Sequence, residues 1–115
     1  MDPIDTGQPI DMAKVLEEFD NDQEFFNDVF EAFMSEVDRQ IGLIRNAIRE
    51  SDFDTITRQS HTIKGGAANL IAKELSMAAS DLEKMGKGKV ADGLDNAINR
   101  LESAYKSLAQ YVGPI

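Results

Sequence analysis

Residues 22–50, DQEFFNDVFEAFMSEVDRQIGLIRNAIRE, carry apolar side chains at steps of three and four residues along the whole segment. These steps place the side chains on one face of an α-helix, which completes a turn about every 3.6 residues. The stripe consists of Phe26, Val29, Phe30, Phe33, Val37, Ile41, Ile44 and Ile48. Further apolar residues beside it, Phe25, Met34 and Leu43, indicate that this helix of roughly 40 Å contacts more than one neighbour.

Shorter segments on both sides of this helix have the same amphipathic pattern. Upstream, Asp11 is a candidate N-cap for a short helix, because its side chain can accept a hydrogen bond from the first turn. Downstream, Ser51 is the candidate cap of a third helix that runs from Asp52 or Phe53 to about Ile71. The sequence therefore predicts helices before and after the long one.

Two more helices follow in the last third of the chain. The fourth has its apolar residues at Leu75, Ala78, Ala79, Leu82 and Met85. It is expected to end in residues 85–89, MGKGK, because glycine favours helix termini. The fifth is predicted to begin near Val90 and to end at Gly113-Pro114. Four long striped helices with short connections predict an all-α fold, an antiparallel up-down four-helix bundle with a short extra N-terminal helix.

Composition limits the class of protein. The 115 residues, 42% hydrophobic and 29% charged, suit one soluble domain over residues 11–115, preceded by a flexible lead-in over residues 1–10. The absence of cysteine excludes disulfides and zinc–thiolate sites and is compatible with a reducing cytoplasm. A net charge of −9 disfavours nucleic acid and anionic membranes as partners. The first residues do not resemble a signal peptide. We expect a cytoplasmic monomer.

His61, the single histidine of the chain, begins the segment HTIKGGAANL. On a helical wheel of about 100° per residue, the apolar residues of this helix cluster on the side away from His61. Its imidazole is therefore predicted to face solvent. The neighbours on the same face are Thr57, Arg58, Lys64 and Gly65, each within about one turn, and Ala68, about two turns on.

Two adjacent glycines in the middle of this helix call for an explanation, because each costs about 1 kcal/mol relative to alanine. Gly65 lies beside His61, where a missing side chain leaves an open platform around the ring. Gly66 lies nearer the core, where its small size lets another helix approach closely. Lys64 is adjacent to His61, so its charge disfavours the imidazolium and can contact an anionic group carried on the ring.

The stretch His61–Leu70 resembles the signature of histidine-containing phosphotransfer (HPt) domains, the helical bundles of multistep phosphorelays. The resemblance continues at Leu75, at Leu82-Glu83 and at Gly86, and covers about residues 11–112. Ile71 departs from it, since many members have glycine there.

The resemblance implies a phosphoryl carrier in two-component signal transduction, not an enzyme. His61 would accept a phosphoryl group on Nε2 from the phospho-aspartate of a receiver domain and pass it to a second receiver. Lys64 would stabilise the phosphorylated ring, while Gly65, Ala68, Thr57 and Arg58 would form the docking surface. The partners implied are receiver domains and a sensor or hybrid histidine kinase. The protein would need no cofactor of its own, because the receiver supplies Mg²⁺.

Two other interpretations remain open. The same motif resembles the phosphotransfer domain of chemotaxis-type kinases, in which the donor is an ATP-using kinase domain. An inert helical interaction module would instead be unaffected by replacement of His61.

The glycines and lysines of MGKGKV more often indicate a helix–helix turn than a phosphate site.

Overall fold

Five α-helices make up the part of the chain that the computed structural model describes, residues 10–112. They are α1 (Met12–Glu18), α2 (Gln23–Arg49), α3 (Phe53–Asn69), α4 (Lys73–Gly88) and α5 (Leu94–Val112). No strand occurs within these residues. Short connections over residues 50–52, 70–72 and 89–93 reverse the chain between the long helices. Contacts of α2 with α3, α3 with α4, α4 with α5 and α5 with α2 close the predicted four-helix bundle.

Aspartate side chains cap the first three helices. Asp11 accepts a hydrogen bond from the backbone N–H of Lys14 at 3.2 Å, as the sequence predicts. Asp52, not Ser51, caps α3, and it accepts from the N–H of Thr55 at 3.2 Å. The prediction of Ser51 is wrong because its φ of 55° places it in the left-handed turn after α2. An N-cap needs a more extended backbone.

The apolar stripes of the helices form one core. Its buried members are Ile10, Val15, Phe26, Phe30, Met34, Val37, Ile41, Ile44, Ala47, Ile56, Ile63, Ala67, Leu70, Ala72, Leu75, Ala79, Leu82, Leu94, Ala97, Ile98, Leu101, Ala104 and Leu108. Val29, Phe33 and Ile48 of the predicted α2 stripe are partly buried against this core. Phe25 is exposed.

The two ends of the described chain bear differently on the sequence predictions. Ile10, the last residue of the segment predicted to be flexible, is buried in the core, whereas the remainder of that segment lies outside the described residues. The predicted stop at Gly113-Pro114 also lies outside them. The predicted start of α5 near Val90 is wrong, because Val90 is exposed and belongs to a connection that ends at Gly93 with a φ of 87°.

Two glycines allow helices to approach closely at the level of the site. A Cβ added to Gly66 of α3 would lie 2.5 Å from Cε1 of Phe33 on α2, which confirms the predicted close contact. A Cβ added to Gly86 of α4 would lie 3.0 Å from the backbone nitrogen of Thr57 on α3. Gly86 thus brings α4 against the part of α3 that precedes His61.

None of the described helices has a stretch long and apolar enough to cross a membrane.

Candidate functional site

His61 lies on the solvent-facing side of α3. Its side chain is 67% exposed, whereas Ile56, Ile63 and Ala67 of the same helix are completely buried. The exposed orientation that the helical wheel predicts is therefore confirmed. The ring is open to an incoming molecule without any movement of the core.

Glu83 of α4 is the centre of a cluster of charged groups next to His61. Its carboxylate is only 5% exposed, and Oε2 lies 2.8 Å from Nδ1 of His61. Nζ of Lys64 lies 2.5 Å from Oε1, and Nζ of Lys87 lies 3.3 Å from Oε2. One nearly buried carboxylate thus contacts the imidazole and two ammonium groups.

These contacts decide the protonation of the site. The hydrogen bond from Lys64, helped by those from His61 and Lys87, lowers the pKa of Glu83 to about 2 against the opposing effect of burial. Glu83 is therefore ionised at neutral pH and can only accept hydrogen bonds. Because Glu83 cannot donate, the proton between the two groups resides on Nδ1 of His61. In the neutral ring, the lone pair is then on Nε2, the nitrogen that Glu83 does not contact.

Sequence reasoning missed the roles of Glu83 and Lys87. Glu83 was visible as part of the Leu82-Glu83 and Gly86 pattern, but it stands 22 residues after His61 and on another helix. Only the packing of α4 on α3 shows that it reaches the ring. The sequence predicts a helix–helix turn at Lys87, whereas this residue lies in the last turn of α4, one turn after Glu83. Lys64 does lie at the site, and in this structure its ammonium binds Glu83.

The predicted docking residues lie around His61 on α3. Thr57 and Arg58 line a shallow open hollow beside the ring, together with Thr62, Glu83 and Lys87. Gly65 and Ala68 are exposed towards the C-terminal end of α3 and do not line the hollow. A Cβ added to Gly65 would meet no atom within 4 Å, so the surface beside the ring is open there.

Among residues 10–112, no group of three or more histidine or acidic side chains is arranged to hold a metal ion. The chemistry available in this cluster is that of a nucleophilic imidazole with cations nearby. Lys64 lies one turn after His61, and Lys87 lies one turn after Glu83. The ammonium groups of both lysines can also bind an anionic group.

Comparisons with known proteins agree with the observed fold. The family model of the Hpt domain matches residues 28–111. The crystal structure of histidine-containing phosphotransfer protein B (HptB) from Pseudomonas aeruginosa PAO1 superimposes with a TM-score of 0.83. The match covers 93% of this chain and 94% of that one at 14% sequence identity, and it shows a shared fold. A comparison with curated protein sequences found no match.

Proposed function

Because this chain belongs to the Hpt domain family, whose members carry phosphoryl groups in two-component signalling, we propose that Nε2 of His61 is its phosphoacceptor. His61 takes the phosphoryl group from the phospho-aspartate of a receiver domain and passes it to another receiver. One observation carries this proposal: Oε2 of the buried Glu83 lies 2.8 Å from Nδ1 of His61, while the His61 side chain remains 67% exposed.

The transfer step uses the lone pair on Nε2. It attacks the phosphorus of the aspartyl phosphate, and the phosphorus–oxygen bond breaks with its electron pair going to the aspartate carboxylate. The proton on Nδ1 stays in its hydrogen bond to Glu83, whose negative charge offsets the positive charge that the ring acquires. No base is needed, so this chain acts as a carrier, and the reverse sequence of steps returns the group to an aspartate. Phosphoryl transfer depends mainly on positioning and on neutralisation of charge.

The surroundings of the ring supply the remaining requirements. Lys64 stabilises the phosphoryl group through its ammonium. Gly65 provides room for the receiver, and Thr57, Arg58 and Ala68 complete the docking surface on α3. The receiver contributes Mg²⁺, and a sensor or hybrid kinase stands upstream in the relay.

The decisive test is phosphoryl transfer from a panel of phosphorylated receiver domains in the presence of Mg²⁺. Acid-labile phosphate should appear on the wild-type protein and not on His61→Gln. If no receiver labels the wild type, incubation with histidine kinases and ATP separates the two alternatives. Label from a kinase alone would indicate a kinase-fed domain, and no label from either source would indicate an inert interaction module.

The same variant tests the exposure of the ring. Because His61 contributes little to the core, His61→Gln should change the free energy of unfolding by about 1 kcal/mol or less, the value of one exchanged hydrogen bond. Circular dichroism and thermal unfolding measure this. A much larger loss would mean that the contact with Glu83 holds the two helices together, and the loss of label would then not identify the acceptor.

A further inference from the structure

Glu83 has more cationic partners than its single charge requires. Lys64 approaches Oε1 from α3, whereas Lys87 approaches Oε2 from α4, four residues after Glu83 on the same helix. The Lys64 side chain is 35% exposed and that of Lys87 is 66% exposed, so both have freedom to move. Glu83 itself has no such freedom, since its carboxylate is 5% exposed between the helices.

Phosphorylation of His61 creates a competition for Lys64. The unphosphorylated protein pairs Lys64 with Glu83, and the proposed function requires the same ammonium at the phosphoryl group. If Lys64 leaves, a nearly buried carboxylate loses its closest cation. Removal of one partner from a buried ion pair is strongly destabilising, because the remaining charge is desolvated. The positive charge that the ring acquires does not replace Lys64, because the phosphoryl group on the ring brings a larger negative charge with it.

We propose that Lys87 is a positioning residue that keeps Glu83 compensated while Lys64 moves to the phosphoryl group. This inference rests on the proposed function. Lys87 binds the same oxygen, Oε2, as Nδ1 of His61, so it remains next to the ring proton after Oε1 has been released. It also lines the hollow beside His61, from which Lys64 is absent.

Both lysines therefore pair with Glu83 before phosphorylation, and they have different roles after it. Without Lys87, the unphosphorylated protein still has Lys64 on Glu83. Once His61 is phosphorylated, Lys64 has to remain on Glu83, and the phosphoryl group loses its ammonium. A defect confined to the phosphorylated state follows, which a purely structural role of Lys87 would not produce.

The experiment equilibrates the protein with a phosphorylated receiver and measures the fraction of His61 that is phosphorylated. Lys87→Gln should lower the ratio of phosphorylated to free protein by about tenfold, within the range found for interacting residues. Its unfolding transition should shift only slightly, because Lys64 still pairs with Glu83 in the unphosphorylated protein. Lys87→Arg should restore the ratio, because it keeps the charge. Lys84→Gln, which alters an exposed lysine on the same helix, should leave the ratio unchanged.

A double-mutant cycle with Lys64→Gln separates positioning from direct contact. If Lys87 acts by releasing Lys64, the substitution at Lys64 adds little to the effect of Lys87→Gln. Additive losses would show that Lys87 contacts the phosphoryl group independently and would overturn the proposal. A Lys87→Gln protein that matches Lys84→Gln would also overturn it. If even the wild type accepts no phosphate, the proposed function itself has failed.

Discussion

At the scale of single residues, Glu83 links the stability of the bundle to pH. Its pKa is about 2 in the folded protein, compared with the ordinary value of 4.5. A carboxylate whose pKa is lowered by folding stabilises the fold above its unfolded pKa. The stabilisation is lost as the pH falls from about 4.5 towards 2. The difference between the two values corresponds to roughly 3 kcal/mol.

We therefore expect Glu83→Gln to lower the free energy of unfolding by roughly 3 kcal/mol near neutral pH and by much less near pH 2. Urea denaturation of both proteins at several pH values measures the difference. Glu31→Gln, which removes an exposed carboxylate from α2, is the control for the general effect of charge. A difference that stays constant with pH would mean that Glu83 stabilises the fold by shape and not by ionisation.

At the scale of helices, the apolar periodicity predicts the helices and their buried faces, whereas the conformations of the turns between them are harder to predict. The stripe of α2 identified the helix to within a residue at each end, since its apolar spacing is continuous from Phe26 to Ile48. The predictions of Ser51 as a helix cap and of Val90 as a helix start are wrong because both residues precede a helix in the sequence but adopt turn or connecting conformations. A backbone angle such as the φ of 55° at Ser51 has no periodic signal.

Gly65 provides the sharpest prediction about α3. A Cβ added to Gly65 would meet no atom within 4 Å, and the same holds for Gly42 in the middle of α2. Replacement of either glycine by glutamine should stabilise the protein by about 0.5 kcal/mol, through the higher helix propensity of glutamine. Only Gly65→Gln should impair transfer from a receiver, because a misplacement of about 1 Å can cost about a hundredfold in rate.

Transfer rates and thermal unfolding of the two variants, measured side by side, test this expectation. The pair is matched in chemistry, in exposure and in its effect on the helix, and it differs in distance along the surface from His61. Equal transfer rates would show that the receiver does not approach over Gly65. An unstable Gly65→Gln protein would contradict the open space seen beside the ring.

At the scale of the whole molecule, the sequence predicts the orientation of His61 but not its contact with Glu83. The direction of His61 follows from one helix alone, because the apolar stripe of α3 fixes which side faces the core. The contact between Glu83 and His61 depends on how α4 lies against α3, which in turn depends on Gly86 and the backbone near Thr57. Such contacts between helices have no signature in the spacing of residues along one of them.

The distribution of charge over the molecule leads to a last prediction. The net charge is −9, yet Arg58, Lys64 and Lys87 surround His61. The family resemblance implies that the receiver presents an acidic pocket. Under the proposed function, the two docking surfaces would therefore attract each other although the protein as a whole is acidic. Transfer at low protein concentration should therefore slow several-fold as NaCl rises from about 0.1 M to about 1 M, where the Debye length shrinks from about 10 Å to about 3 Å.

Arg58→Gln and Arg100→Gln distinguish local from overall charge, since each changes the net charge by one unit. Arg58 lines the hollow beside His61, whereas Arg100 lies on α5, where it pairs with Asp81 at 3.3 Å. If local attraction guides docking, only Arg58→Gln slows transfer and flattens its dependence on salt. If the two variants behave alike, the total charge governs the encounter. A transfer rate that rises with salt would show that repulsion between two acidic molecules outweighs the cations around His61.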